Sequence, residues 1–300
     1  MELLRPKTHL IPAIIAIITA SFFNALMGAV VKYASSGITV EAMTFWRNFI
    51  CLIIVFPWLS HMAHGLPSVA PMMKPKNLKM HLIRGLCGLS GIYLFFISLQ
   101  FLSLTDATLL ANTIPIFIPI TAYVWKRIPI IHSLWWGIGI AFVGIILIIK
   151  PGVGVFQPAS LIGISGAIIG SVAVFALRLA HFSEPPVRTL FFYFLIASVV
   201  AAVGTLPRFS LNWIDLNLHN TLVLLSIGGL GMAFQLCFTY AAKWAPVRLT
   251  SPFLYLSVVF SMVLQWLVWH QPVPLSSILG FCFVFVGAML VVYLYPKHQL

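Results

Sequence analysis

Arg47 is the residue of this 300-residue chain whose chemistry is hardest to explain away. It follows Trp46 inside the run EAMTFWRNFICLIIVF, and a guanidinium there can hold a carboxylate or phosphate through two parallel hydrogen bonds. Arg84 lies near the start of another apolar run, placed either to snorkel to an interface or to join Arg47. An ionised side chain within a bilayer costs about 2.5–3.5 kcal/mol on insertion scales, so each needs a role. Asn24, Tyr93, Asn112, Gln235, Tyr240 and Tyr255 add hydrogen-bonding groups, each as able to bond a neighbouring helix as a substrate. Asn112 and Gln235 stand out because deep amides are expensive without a partner. Carboxylates are scarce. Glu41 and Asp106 each open an apolar run, and capping is the first expectation for Asp106, with proton or ion coupling as the other role open to both. Neither HExxH nor GxSxG occurs, most histidines fall in connections, and the four cysteines are far apart without metal-ligand spacing. No catalytic residue, no metal site and no cofactor is expected, so the chain reads as something other than an enzyme.

The elements that hold these groups must be membrane helices. The composition is 61% hydrophobic and 7% charged, against about 25% charged in an average globular chain. That excludes a soluble enzyme or a disordered chain. The +12 formal charge does not form a patch suited to phosphates, so nucleic acid is not an expected partner and the lipid bilayer is. Ten runs are long enough to span about 30 Å of hydrocarbon as helices: 11–33, 41–60, 80–100, 105–125, 131–150, 160–180, 187–206, 219–241, 247–269 and 274–294. None alternates as a barrel strand would. Lys126, Arg127, Arg188, Lys243 and Arg248 fall on the side of both termini, and only Lys32, Lys150 and Arg208 fall opposite, which predicts cytoplasmic termini.

The chain also repeats itself. At an offset of 143, Pro129, Ser133, Gly137, Phe142, Val143, Gly144 and Leu147 meet Pro272, Ser276, Gly280, Phe285, Val286, Gly287 and Leu290. The first two spans need an offset of 146, which sets Lys32 opposite Arg178 and Phe45 opposite Phe191. Each copy, 1–150 and 151–300, holds five spans, an odd number, so the copies must run in opposite directions. The expected fold is an all-α integral membrane protein with ten transmembrane helices in two inverted five-helix repeats, one membrane domain overall. Such repeats accompany alternating-access transport with a site near the midplane.

The block RGLCGLSGIYLFFISLQFLSLTDATLLANTIPIFIPITAYVWKRIPI, its second copy from LCFTYAAKWAPVRLTSPF to GFCFVFVGAML, and the Trp46-Arg47 pair resemble the drug/metabolite transporter superfamily, specifically its EamA-type ten-helix members. The resemblance covers essentially the whole chain. It implies a secondary transporter in the bacterial inner (plasma) membrane, a monomer or homodimer, moving a small-molecule substrate of amino-acid, nucleotide-like or vitamin class. It also implies that Asn24, Tyr93, Asn112, Gln235, Tyr240 and Tyr255 belong to cavity-lining spans. A lipid flippase on the same fold is the alternative, with a membrane-embedded enzyme a distant third. The sequence departs from the family in lacking a Glu after the fourth and ninth spans. Without a mid-membrane carboxylate, facilitated diffusion or exchange is expected, and the arginine excess favours a cargo bearing a carboxylate or phosphate. Pro115 and Pro119 in the fourth span and Pro252 in the ninth are the expected gating positions, since each removes a backbone donor.

Overall fold

The computed structural model describes residues 10–62, 74–127, 132–149, 158–181, 184–205, 217–245 and 253–294. Its helices are α1 (Leu10–Ala34), α2 (Val40–Met62), α3 (Leu78–Phe101), α4 (Leu104–Ala111), α5 (Ile114–Lys126), α6 (His132–Ile149), α7 (Pro158–His181), α8 (Pro186–Thr205), α9 (Leu218–Trp244), α10 (Leu256–Trp269) and α11 (Leu275–Leu294). No strand occurs among the described residues. Seven stretches, counting Leu104–Lys126 as one, are long and apolar enough to cross a membrane. Leu134–Ile148, Leu256–Trp269 and Leu275–Val291 are shorter apolar helices.

The surface is apolar. Trp136 is 76% exposed, Trp266 62% and Ile15 60%. Such a surface suits lipid and would aggregate in water. Small and polar residues turn inward instead, so Ser21, Asn48, Ser171 and Ser261 are buried.

Side chains fix the helix starts. Asn77, Ser103 and Asn217 cap α3, α4 and α9 by accepting from the backbone N–H three residues on. Ser103 therefore holds the capping position expected of Asp106, whose carboxylate sits in the first turn and accepts from Ser277 Oγ on α11 at 2.6 Å. The expected fourth span is divided into α4 and α5. The break falls at Asn112 and Thr113 because Pro115 has no N–H to give the Ala111 carbonyl. Side chains take up the slack, with Asn112 Nδ2 donating to Thr108 O and Thr113 Oγ1 donating to Leu110 O. Pro115 begins α5 and Pro119 lies inside it, both buried, while Pro252 lies outside the described residues.

α1 packs on α9 and α10, α3 on α7 and α8, α2 on α8 and α9, and α6 on α11. The α6–α11 crossing is set by glycine. A Cβ on Gly137 would come 2.8 Å from Gly287 O, and one on Gly144 would come 2.7 Å from Gly280 O. Only hydrogen fits at such distances, so the two backbones touch. The end where α1 begins is called proximal below. At the distal end Lys32 Nζ donates to Leu99 O and Leu102 O, sealing the C-terminus of α3, a more specific task than the interfacial anchoring its position suggests. Cys51 is buried, as a packing cysteine should be, but Cys282 is exposed on the outer face of α11.

Candidate functional site

At mid-depth α1, α2, α3, α5, α7, α8, α9 and the start of α10 enclose a cavity of about 160 Å³. Glycines on α3 and α7 (Gly88, Gly91, Gly163, Gly166, Gly170) make the room. The polar groups facing it are Ser21, Asn24, Arg47, Arg84, Asn112, Gln235 and Ser257, with Tyr193 and Phe95 among its aromatic walls. Among the described residues, no aspartate or glutamate lines it.

Arg47 is 1% exposed and Arg84 3%, so Arg84 does not snorkel. Arg47 Nη1 donates to Asn48 Oδ1 at 3.0 Å, and its Nε finds no hydrogen-bond partner among the described residues. Its stem lies over Gly231 of α9, where a Cβ would come 2.9 Å from Nε. Arg84 places its guanidinium 4.9 Å from the centroid of the Tyr193 ring, a cation–π contact, while its Nε and Nη2 stay without hydrogen-bond acceptors among the described residues. Tyr193 in turn lies over Gly88 of α3.

Asn112 stands at the α4–α5 break and donates through Nδ2 to Ser257 Oγ at 2.8 Å, tying that break to α10. Both amide hydrogens are thus used, and the amide oxygen is the atom left to offer a ligand. Gln235 is 6% exposed and has no hydrogen bond to a described residue, so its whole amide is available to the cavity.

The structure does not bring the other expected site residues to this cavity. Tyr93 donates to Glu41 Oε1 at 3.1 Å, and the pair lines a separate distal groove formed with the α1–α2 connection. Tyr255 is 1% exposed at the start of α10, packed edge-on against Phe285 in the core. Tyr240 stacks on Trp58 and meets Trp244 at a tilt. Asp106 is held at the distal end, where Thr105 N–H also donates to Gln265 Oε1 at 3.1 Å.

Sequence reasoning overlooked two features. Tyr193 sits in the run FFYFLI, where an aromatic has no contrast, although the 146 offset sets it opposite Arg47. Glu184 was the other. At the proximal end its fully buried carboxylate accepts from Arg188 Nη1 and from the Lys76 backbone N–H, and lies 3.5 Å from His81 Nε2. Burial pushes the Glu184 carboxyl up, but the Arg188 hydrogen bond, the Lys76 N–H and the Arg188 and His81 charges outweigh it and hold it below the usual carboxylate range. The spacing to Arg188 in SEPPVR was the available signal.

The EamA-like transporter family profile matches residues 11–150 and 158–293, and the chain belongs to that family. It is a multi-pass membrane protein. It is 24% identical over 279 residues to the pseudopaline exporter CntI of Pseudomonas aeruginosa, covering 91% of this chain and 93% of that one. It is 22% identical to an S-adenosylmethionine uptake transporter of Rickettsia bellii over 262 residues, 87% of each chain. A riboflavin transporter of Vibrio cholerae is 21% identical over 276 residues, 89% of this chain and 88% of that one. A solved crystal structure superposes with a TM-score of 0.63 over 96% of this chain and 99% of that chain at 18% identity, a likeness of fold.

Proposed function

We propose that the protein is a secondary transporter that moves a small polar or zwitterionic metabolite across the bacterial inner membrane by alternating access, as a facilitator or exchanger. The observation that carries this reading is the central cavity, a space inside a lipid-facing bundle holding two buried arginines and two available amide groups. A merely structural core would have filled that space with side chains. The relatives support it too, since their names assign export, uptake or transport of three chemically different metabolites.

The bundle is proposed to consist of ten spans in two inverted halves, 1–150 and 151–300, with both termini cytoplasmic. Three observations favour the inverted halves. The family profile matches the halves as two stretches. Arg127 (φ 56°) and His270 (φ 52°), 143 positions apart, both end their helices in the left-handed conformation without being glycine. The contacts are also reciprocal under the repeat, for Gly137 meets Gly287 as Gly144 meets Gly280, and Gly85 meets Ile196 as Gly228 meets Ile50. The proline-started α5 and its counterpart α10 are the proposed moving parts, hinged beside the cavity at Asn112 and near Tyr255.

The test is uptake of a labelled panel of amino acids, nucleosides, S-adenosylmethionine and vitamins into liposomes holding the purified protein and preloaded with the same compounds unlabelled, with and without a pH gradient. Saturable uptake of one class, indifferent to the gradient, is the expected result. Gradient-driven uptake would overturn the uncoupled mechanism. Silence across the panel with movement of labelled lipid would replace the transporter by a flippase.

A further inference from the structure

The charge balance of the cavity carries an inference about cargo and cycle, resting on the transporter reading above. Arg47 and Arg84 are both more than nine-tenths buried and both line the cavity. Three of their nitrogens, Nε of Arg47 and Nε and Nη2 of Arg84, have no hydrogen-bond acceptor among the described residues. Guanidinium stays protonated in proteins, so deprotonation offers no relief. Nor does a carboxylate of the chain supply it. Among the described residues, Glu41 accepts from Tyr93, Asp106 from Ser277, and Glu184 from Arg188, and none of the three lines the cavity. The face of Tyr193 beneath Arg84 compensates part of one charge, and the Asn48 amide oxygen part of the other. What remains is a cavity with excess positive charge and donor groups that no described residue accepts from.

We propose that the cargo is an organic anion whose carboxylate or phosphate is held by Arg47 and Arg84, and that the protein works as an obligatory exchanger. The second half follows from the first. With an anion bound, the occluded intermediate of the cycle is close to neutral. Without one, the carrier must close around two cations compensated only in part in low dielectric, and that step is slow. Return therefore requires an anion from the opposite side. Gln235 and the Asn112 oxygen, at the other polar positions of the cavity, would read the uncharged part of the cargo.

The test has two stages. Purified full-length protein in neutral detergent is titrated with citrate, glutamate and inorganic phosphate, with choline and glucose as controls and phosphatidylglycerol as a lipid source of phosphate. The melting midpoint is read. At least one soluble anion is expected to raise it by a few degrees and the controls to leave it unchanged. The rise should vanish in Arg47→Gln and Arg84→Gln and survive in part in Arg47→Lys, a pattern that lost packing alone would not produce. No rise with any anion, or an equal rise in the glutamine variants, overturns the anion site. A rise with phosphatidylglycerol alone replaces soluble cargo by a headgroup. The stabilising anion is then labelled, and its uptake is measured into protein-containing liposomes loaded with the same anion or with glucose. Exchange predicts uptake about tenfold faster or more into the anion-loaded vesicles. Equal rates overturn exchange and keep the transporter. Binding with no flux into either overturns the transporter reading and keeps the anion site.

Discussion

The α6–α11 crossing and the walls of the central cavity obey opposite rules. At the crossing, positions related by the 143 offset hold the same residue, glycine facing glycine twice over. At the cavity, related positions hold different residues, for Arg47 over Gly231 corresponds to Tyr193 over Gly88. The crossing tolerates no side chain, so nothing but glycine works in either copy. The cavity wall needs only something that fits over a glycine, and the chemistry there was free to diverge into one cation and one aromatic face. Arg84 lies against that aromatic face, so the divergence is what lets a second cation be buried. Glycine packing sits where positions related by the offset agree, and the charged cavity wall where they do not.

The comparison is broken most severely by filling the crossing. In Gly144→Leu the new Cβ would lie 2.6 Å from Val284 N, a backbone atom unable to step aside. Folded yield from membranes should collapse, since overpacking of even a methylene or two costs about 1–3 kcal/mol. At the cavity the opposite outcome is expected. Arg47→Ala should keep folded yield, judged by a monodisperse elution peak, and reduce transport by about tenfold or more. Asn112→Leu loses the bond to Ser257 and sharpens the comparison less drastically, with a loss of about 1 kcal/mol in thermal stability and a change in KM larger than in maximal rate.

The smallest effect belongs to Glu184. Its folded carboxyl lies below the ordinary value of 4.5, so it stabilises the fold above the unfolded pKa, and that contribution disappears as pH falls through the lower folded value. The melting difference between the wild type and Glu184→Gln should be constant at neutral pH and shrink below about pH 4.5. A difference that grows on acidification would reverse the assignment.

Much of this was legible beforehand, for reasons that differ by residue. The spans follow from length and apolarity, and their expected limits fall within a few residues of α1, α2, α3 and α7 to α9. Arg47, Asn24, Asn112 and Gln235 were visible because a polar group in an apolar run is a contrast, and all four face the cavity. Tyr93, Tyr240 and Tyr255 offered the same contrast but went elsewhere, because rotation about a helix axis decides which wall a residue joins. Periodicity is silent where a helix is apolar on every side. Glu184 and Tyr193 needed the third dimension, one paired across α3 and α8, the other recognisable only against its repeat partner. The α4–α5 break lies ahead of Pro115, since a proline disturbs the turn before it.

The most direct test of the account is the initial rate of cargo uptake into cargo-loaded liposomes for the wild type, Arg47→Ala and Tyr240→Ala at equal amounts of folded protein. The account predicts that Arg47→Ala loses about tenfold or more while Tyr240→Ala, away from the cavity, stays within about twofold of the wild type. Equal rates for the wild type and Arg47→Ala would contradict it, because the cavity could then not be the path the cargo takes.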